Sequence, residues 1–121
     1  MIKKLFLSVV ALVLGCVDRL NEIGIPCFGP AANAAIIEGS KAFSKDLMKK
    51  YGIPTASYEI FTELDAALTY LDTAPIPTVV KADGLALGKG VIIAMTRDEA
   101  KKALRSMLED KVFGDSGSRV I

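Results

Sequence analysis

The chain has 121 residues, of which 51% are hydrophobic and 24% charged, and its net charge is +1. This composition allows one modest domain or a piece of a larger protein, and it excludes a disordered chain. With no basic block and no tryptophan, we expect no nucleic-acid partner. The lack of histidine excludes Ser-His-Asp catalysis and histidine metal sites, and we assign no catalytic residue and no metal ligand.

The amino terminus fits two interpretations. A basic start, Met1–Lys4, precedes a short apolar run, as in a secretory signal. Residues 13–16 resemble a lipoprotein cleavage box, which would make Cys16 a lipid attachment site. The run is too short to span a membrane, so a membrane is a partner only if the signal is active. Against this, apolar residues recur at helical spacing and predict an amphipathic helix over 13–23 that Gly24 ends.

The next segment predicts a strand and two helices. Residues 25–30 are predicted to form a short buried strand that ends in a turn, and the alanine-rich residues 31–37 a helix. Ser40 is a plausible N-cap for a helix over 41–51, whose apolar stripe would carry Phe43, Leu47 and Met48.

From residue 54 onward the predicted order is β-α-β-loop-β-α-loop-β. This order predicts an α/β (α+β) fold, with helices on one face of an antiparallel or mixed sheet. The chain ends within an apparent strand, which we interpret as the mark of a fragment. The predicted elements are a strand at 58–61, a helix at 63–72 capped by Thr62, strands at 77–82 and 90–94, a helix at 97–109 capped by Thr96, a loop at 114–118 and a strand from 119.

A glycine-rich loop joins the two central strands. It contains Gly84, Gly88, Lys89 and Gly90. Glycine lets backbone N–H groups approach a ligand, and lysine adds positive charge, so the loop suits phosphate oxygens. It matches neither GxxxxGK[ST] nor GxGxxG, and a plain hairpin with a long loop is the alternative.

Four segments occur in the order and spacing of a known family, over about four-fifths of the chain. They are GIPCFGP (24–30), EGSKAFSKDLMKKYGIPTA (38–56), PTVVKADGLALGKGVIIA (77–94) and FGDSGSRVI (113–121). These segments resemble phosphoribosylamine–glycine ligase, also called glycinamide ribonucleotide synthetase, an ATP-grasp family of purine synthesis. Residues 11–23 also resemble the family's helix, which favours the helical interpretation of Cys16, whereas residues 1–10 do not resemble it.

The resemblance implies an ATP-grasp lid subdomain preceded by the remnant of a Rossmann-like N-terminal domain. It divides the chain into an unrelated or signal-like start at 1–10, a remnant and linker helix at 11–53 and an incomplete nucleotide-binding subdomain at 54–121. The family's substrate loop, its acidic strand and its magnesium carboxylates have no counterpart here. We therefore expect these residues alone to be inactive.

The implied reaction is the ATP-dependent ligation of glycine to 5-phosphoribosylamine through an acyl phosphate, with Mg²⁺, in the cytoplasm. By resemblance, Lys41 and Lys81 are the nucleotide lysines, and the flap over the phosphates runs from Gly84 to Gly90. Two structural alternatives stay open: a solvated Lys41, and an Asp83 that serves only as counter-ion to Lys81. The alternative function is a non-catalytic nucleotide-binding module, secreted or lipid-anchored.

Overall fold

The computed structural model describes residues 9–85 and 90–121. Its first half is helical and its second half combines helices with a small sheet. The helices are α1 (Val9–Val13), α2 (Cys16–Glu22), α3 (Ala32–Gly39), α4 (Lys41–Lys50), α5 (Leu64–Leu71) and α6 (Arg97–Leu108), the strands are β1 (Thr78–Lys81) and β2 (Val91–Ala94), and a 3₁₀ turn spans Gly114–Gly117.

The sheet and two helices form the main core. Strands β1 and β2 pair antiparallel, with Val80 opposite Ile92. Helix α6 packs on both strands and α5 packs on α6, so the α/β (α+β) prediction with helices on one face is confirmed. The buried members of this core are Ala67, Leu71, Ala74, Val80, Ala82, Ala94, Ala100, Ala103, Leu104, Met107 and Val120.

Helix α6 forms as the sequence predicts. The Thr96 hydroxyl accepts a hydrogen bond from the Glu99 amide at 3.2 Å and so caps the first turn. The four apolar residues predicted to face inward are all buried, and Met107 is fully so. They recur every three or four residues, which places them on one side of the helix.

Helix α4 also begins where predicted. The Ser40 hydroxyl accepts a hydrogen bond from the Phe43 amide at 3.1 Å. The predicted apolar stripe is wrong at Phe43, which is 41% exposed. Ala42 is buried instead, at the point where its amide donates to the Asp83 carboxylate.

Two predictions for the amino-terminal half are wrong. The single helix over 13–23 is two helices, because Gly15 adopts a left-handed backbone (φ 81°) between α1 and α2. Glycine takes this conformation without a steric cost, so the helical pattern continues while the backbone does not. Residues 25–30 form no strand, and Phe28 lies fully in solvent.

The outer strands predicted at 58–61 and 119–121 shrink to isolated bridges. Val120 bridges antiparallel to Phe61 on one side and to Ala82 on the other. Residue 63, not Thr62, is the N-cap of α5, and it makes no side-chain capping bond. The segment predicted as a loop at 114–118 contains a 3₁₀ turn.

The two strands are less buried than their apolar sequences predict. Val80 and Ala94 face α6, whereas Val79, Val91 and Ile93 lie 42%, 45% and 67% exposed on the opposite face. A run of β-branched residues suggests burial on both faces, and here one face is open. Over residues 9–85 and 90–121, no helix has the length and hydropathy needed to cross a membrane.

Candidate functional site

A cleft of about 590 Å³ opens where helices α3 and α4 meet the end of β1. It brings together three of the predicted site residues, Lys41, Lys81 and Gly84. Lys41 lies 43 residues before Gly84 in the sequence, so the fold and not a local motif brings it to Lys81 and Gly84. The other lining residues are Val9, Val10, Ile37, Glu38, Ser44, Lys45, Met48, Thr55, Leu85 and Ile121.

Lys41 is the first residue of α4, and its side chain reaches the start of the glycine-rich loop. Its ammonium donates to the carbonyls of Asp83 at 3.3 Å and Gly84 at 3.0 Å. Its backbone N–H donates to the Asp83 carbonyl at 3.2 Å. Burial lowers the pKa of Lys41 and the charge of Lys81 lowers it further, against the opposing effects of Asp83 and Glu38. Lys41 is therefore half-buried in the cleft and held by two carbonyls, rather than extended freely into solvent.

Lys81 ends β1, with its side chain on the open face of the sheet. Its backbone N–H and carbonyl both bond to Ile121 at 2.9 Å. The strand alternation that directs Val80 into the core directs Lys81 to the same side as Val79. Among the residues that the structure describes, the Lys81 ammonium has no hydrogen-bond or ion-pair partner.

Asp83 is not the counter-ion of Lys81. Its carboxylate pairs with Arg119, accepts both from the Ala42 amide at 2.7 Å and from the Ser40 hydroxyl at 3.0 Å, and is almost fully buried. The bridge between Ala82 and Val120 sets Arg119 directly opposite Asp83 in antiparallel register. Residues directly opposite each other on paired strands lie closer than residues two apart on one strand. Arg119, and not Lys81, is therefore the counter-ion of Asp83.

These partners decide the ionisation of Asp83. Burial alone would raise the pKa of the carboxyl. The hydrogen bonds from the Ala42 amide, Arg119 and Ser40, together with the charge of Arg119, outweigh burial and lower the pKa. Asp83 is therefore a carboxylate at neutral pH.

The glycines of the predicted loop have different surroundings. Gly84 packs against the 3₁₀ turn: its N–H donates to the Ser116 carbonyl at 3.1 Å, and an added Cβ would lie 2.9 Å from the Ser116 Cα. Gly90 is buried, and its carbonyl accepts from the Ala82 amide at 2.7 Å. Gly88 and Lys89 lie outside the described residues.

Sequence reasoning missed Arg119 and Ser116 as neighbours of the site. Arg119 directly precedes an apolar pair, and such a flanking charge needs a partner, which was the available signal. Ser116 lies in a polar turn and gave no signal, because its contact with Gly84 depends on the fold. Within 9–85 and 90–121, no three His, Cys, Asp or Glu residues form a group that could hold a metal ion.

Comparison with known proteins identifies the family. Residues 39–121 match the family described as phosphoribosylglycinamide synthetase, ATP-grasp (A) domain. The chain belongs to this family.

Similar proteins carry a consistent name. The chain is 58% identical over 112 residues to the phosphoribosylamine–glycine ligase of Xanthomonas campestris and 57% identical over 110 residues to that of Haemophilus influenzae. These alignments cover 93% and 91% of this chain and 26% of each relative. The chain thus spans about a quarter of the length of the curated relatives it matches.

A solved structure has the same fold. The crystal structure of phosphoribosylamine–glycine ligase from Thermotoga maritima matches with a TM-score of 0.71 and 35% sequence identity. The match covers 77% of this chain and 24% of that one. These comparisons give no support to the alternative of a secreted or lipid-anchored module.

Proposed function

We propose that the cleft between Lys41 and Lys81 binds the phosphates of ATP. The observation that carries this proposal is the pair of lysine ammonium groups in one cleft; within the described part of the chain, the partners of the Lys41 ammonium are two carbonyls. Burial lowers the pKa of Lys41, and the nearby charge of Lys81 lowers it further, so the charged form of Lys41 is disfavoured in the empty cleft. A polyphosphate anion would relieve this repulsion and give both ammonium groups strong acceptors.

The open face of the sheet supports a nucleotide in particular. Val79 and Ile93 are paired neighbours on this face, and Lys81 lies one pair further along, opposite Val91. An apolar surface next to a cation suits a ligand with a flat base and a charged tail. The predicted flap from Gly84 to Gly90 would then contribute backbone N–H groups to the phosphates, except that of Gly84, which donates to the Ser116 carbonyl.

The reaction follows from the relatives. They are named phosphoribosylamine–glycine ligases, and we propose that this chain serves the ATP-dependent ligation of glycine to 5-phosphoribosylamine through an acyl phosphate, in the cytoplasm. The residues of this chain would position the triphosphate and neutralise charge that develops during phosphoryl transfer. Mg²⁺ belongs to the same proposal, but the described residues provide no group that fits it, and we assign it no ligand. The domain division at residues 53 and 54 stays a prediction.

The test is a comparison of two lysine variants by calorimetric titration with ATP. Lys81→Ala removes the unpaired ammonium from the cleft, and Lys101→Ala removes one that lies on α6, 3.5 Å from the Asp72 carboxylate. A hydrogen bond to a charged group contributes about 1.5–3 kcal/mol, so we expect Lys81→Ala to weaken ATP binding roughly ten- to hundredfold. Lys101→Ala should bind ATP as the unmodified chain does. Equal affinities for the two variants would contradict the proposal.

A further inference from the structure

We infer that Asp83 is a positioning residue for the ATP site: its buried carboxylate holds the first turn of α4 against the loop, and thereby sets Lys41 in the cleft. This inference rests on the proposed function of Lys41. Asp83 is not among the described residues that line the cleft, so its carboxylate would act through its neighbours.

The first observation is the convergence of three segments on one carboxylate. Ser40 and Ala42 come from the start of α4, Arg119 from the carboxyl-terminal segment, and Asp83 itself follows β1. The Arg119 Nε donates to the Asp83 carboxylate at 2.9 Å, and the backbone N–H of Asp83 donates to the Arg119 carbonyl, also at 2.9 Å. Side chain and backbone together therefore fix Asp83 from two sides.

The second observation is the position of Lys41 inside this arrangement. Both residues that flank it donate to Asp83: Ser40 through its hydroxyl and Ala42 through its amide. Lys41 donates its own amide and its ammonium to the carbonyl of the same aspartate. The direction of the Lys41 side chain therefore depends on Asp83 at three consecutive residues of α4.

The third observation is the charge around the Lys41 ammonium. Asp83 and Glu38 favour its charged form, Lys81 opposes it, and Lys45 lines the same cleft. The Asp83 carboxylate also pairs with Arg119. Neutralising Asp83 removes one of the two carboxylates that favour a charged Lys41, and leaves the Arg119 charge unpaired beside the site.

The main variant is Asp83→Asn, which keeps the shape of the side chain and an acceptor oxygen for Ala42 and Ser40. Its matched control is Asp72→Asn, which neutralises an exposed aspartate at the end of α5 that pairs with Lys101 on α6. Because Asp83→Asn could unfold the chain, Ser40→Ala serves as a second variant that removes one donor and keeps the ion pair with Arg119. Circular dichroism first shows which variants are folded.

The decisive readout does not involve ATP. Titration of the Lys41 side chain by NMR, with ¹³C-labelled lysine, should show a lower pKa in Asp83→Asn than in the unmodified chain and no change in Asp72→Asn. Ser40→Ala should change the Lys41 chemical shift in the same direction as Asp83→Asn, by a smaller amount. An unchanged Lys41 pKa in folded Asp83→Asn would overturn the inference. If only Ser40→Ala folds, an unchanged Lys41 chemical shift in that variant would overturn it.

A double-mutant cycle connects the carboxylate to ATP. Asp83→Asn should weaken ATP binding about tenfold, and should cause little further loss in a chain that already carries Lys41→Ala. If the double variant instead loses ATP affinity by the product of the two single-variant factors, the inference is overturned, since Asp83 would then act without Lys41. If Lys41→Ala alone leaves ATP binding unchanged, the proposed function of Lys41 fails, while the NMR titration still decides whether Asp83 positions it.

Discussion

Gly84→Ala separates a packing role for this glycine from the role in phosphate binding that its motif suggests. The added methyl carbon would lie 2.7 Å from the Ser116 Oγ and 2.9 Å from the Ser116 Cα. The hydroxyl could rotate away, but the Cα belongs to the backbone of the 3₁₀ turn. That turn is itself closely packed against α6, because a methyl carbon added at Gly117 would lie 2.9 Å from the Met107 carbonyl oxygen. The strain therefore falls on the junction between the loop and the core.

The expected cost follows from this geometry. Overpacking of a well-packed site costs about 1–3 kcal/mol, and we expect about 2 kcal/mol here. For 121 residues, at about 2.1 cal/mol/K of unfolding entropy per residue, this cost lowers Tm by roughly 8 °C. Differential scanning calorimetry without any ligand measures the change.

The matched control is Gly39→Ala. Its added methyl would also meet a neighbour at 2.9 Å, but that neighbour is a methyl group of the Val13 side chain, and Gly39 lies in helix α3, where alanine is favoured. We expect Gly39→Ala to lower Tm by less than half as much as Gly84→Ala. An unchanged Tm in Gly84→Ala would refute the packing role, and would return Gly84 to the phosphate loop alone.

Two further predictions concern the core and the buried carboxylate. Met107→Ala should lower the free energy of unfolding by about 2–5 kcal/mol, because the Met107 side chain is fully buried. Met95 is 62% exposed, so Met95→Ala should change the free energy of unfolding by less than about 0.5 kcal/mol. Urea unfolding measures both changes, and similar losses in the two variants would contradict the assignment of Met107 to the core. The folded state lowers the pKa of Asp83 below 3.8, so its stabilising contribution is present above pH 3.8 and is lost as the pH falls through the lowered value. The difference in unfolding free energy between pH 7 and pH 3 should thus be smaller in Asp83→Asn than in the unmodified chain, and equal differences would contradict the ionised, paired carboxylate.

The sequence predicted best where local chemistry and periodicity agree. Ser40 and Thr96 cap their helices as predicted, because each hydroxyl directly precedes the first helical residue and accepts from an amide of the first turn. The apolar side of α6 was predicted residue by residue, since helical spacing alone selects it. The phosphate-binding roles of Gly88 and Lys89 stay predictions, because both residues lie outside the described part of the chain.

The predictions that are wrong concern segments whose structure is decided by contacts between residues distant in sequence. The helical pattern continues through Gly15, yet the backbone turns there so that α1 can pack on α3. Residues 58–61 have strand-forming side chains, but only Phe61 meets Val120. Asp83 and Arg119 are 36 residues apart, and only the antiparallel register sets them opposite each other. Spacing along the chain contains no information about that register.

The most direct test of the central claim is an ATP titration of the whole chain, followed by NMR of isotope-labelled lysine side chains. The claim is that ATP phosphates bind between Lys41 and Lys81. The signals of these two lysines should move together with ATP concentration and saturate, while those of Lys101 and Lys102 on α6 stay in place. Equal shifts at all four lysines, or shifts confined to α6, would contradict the account.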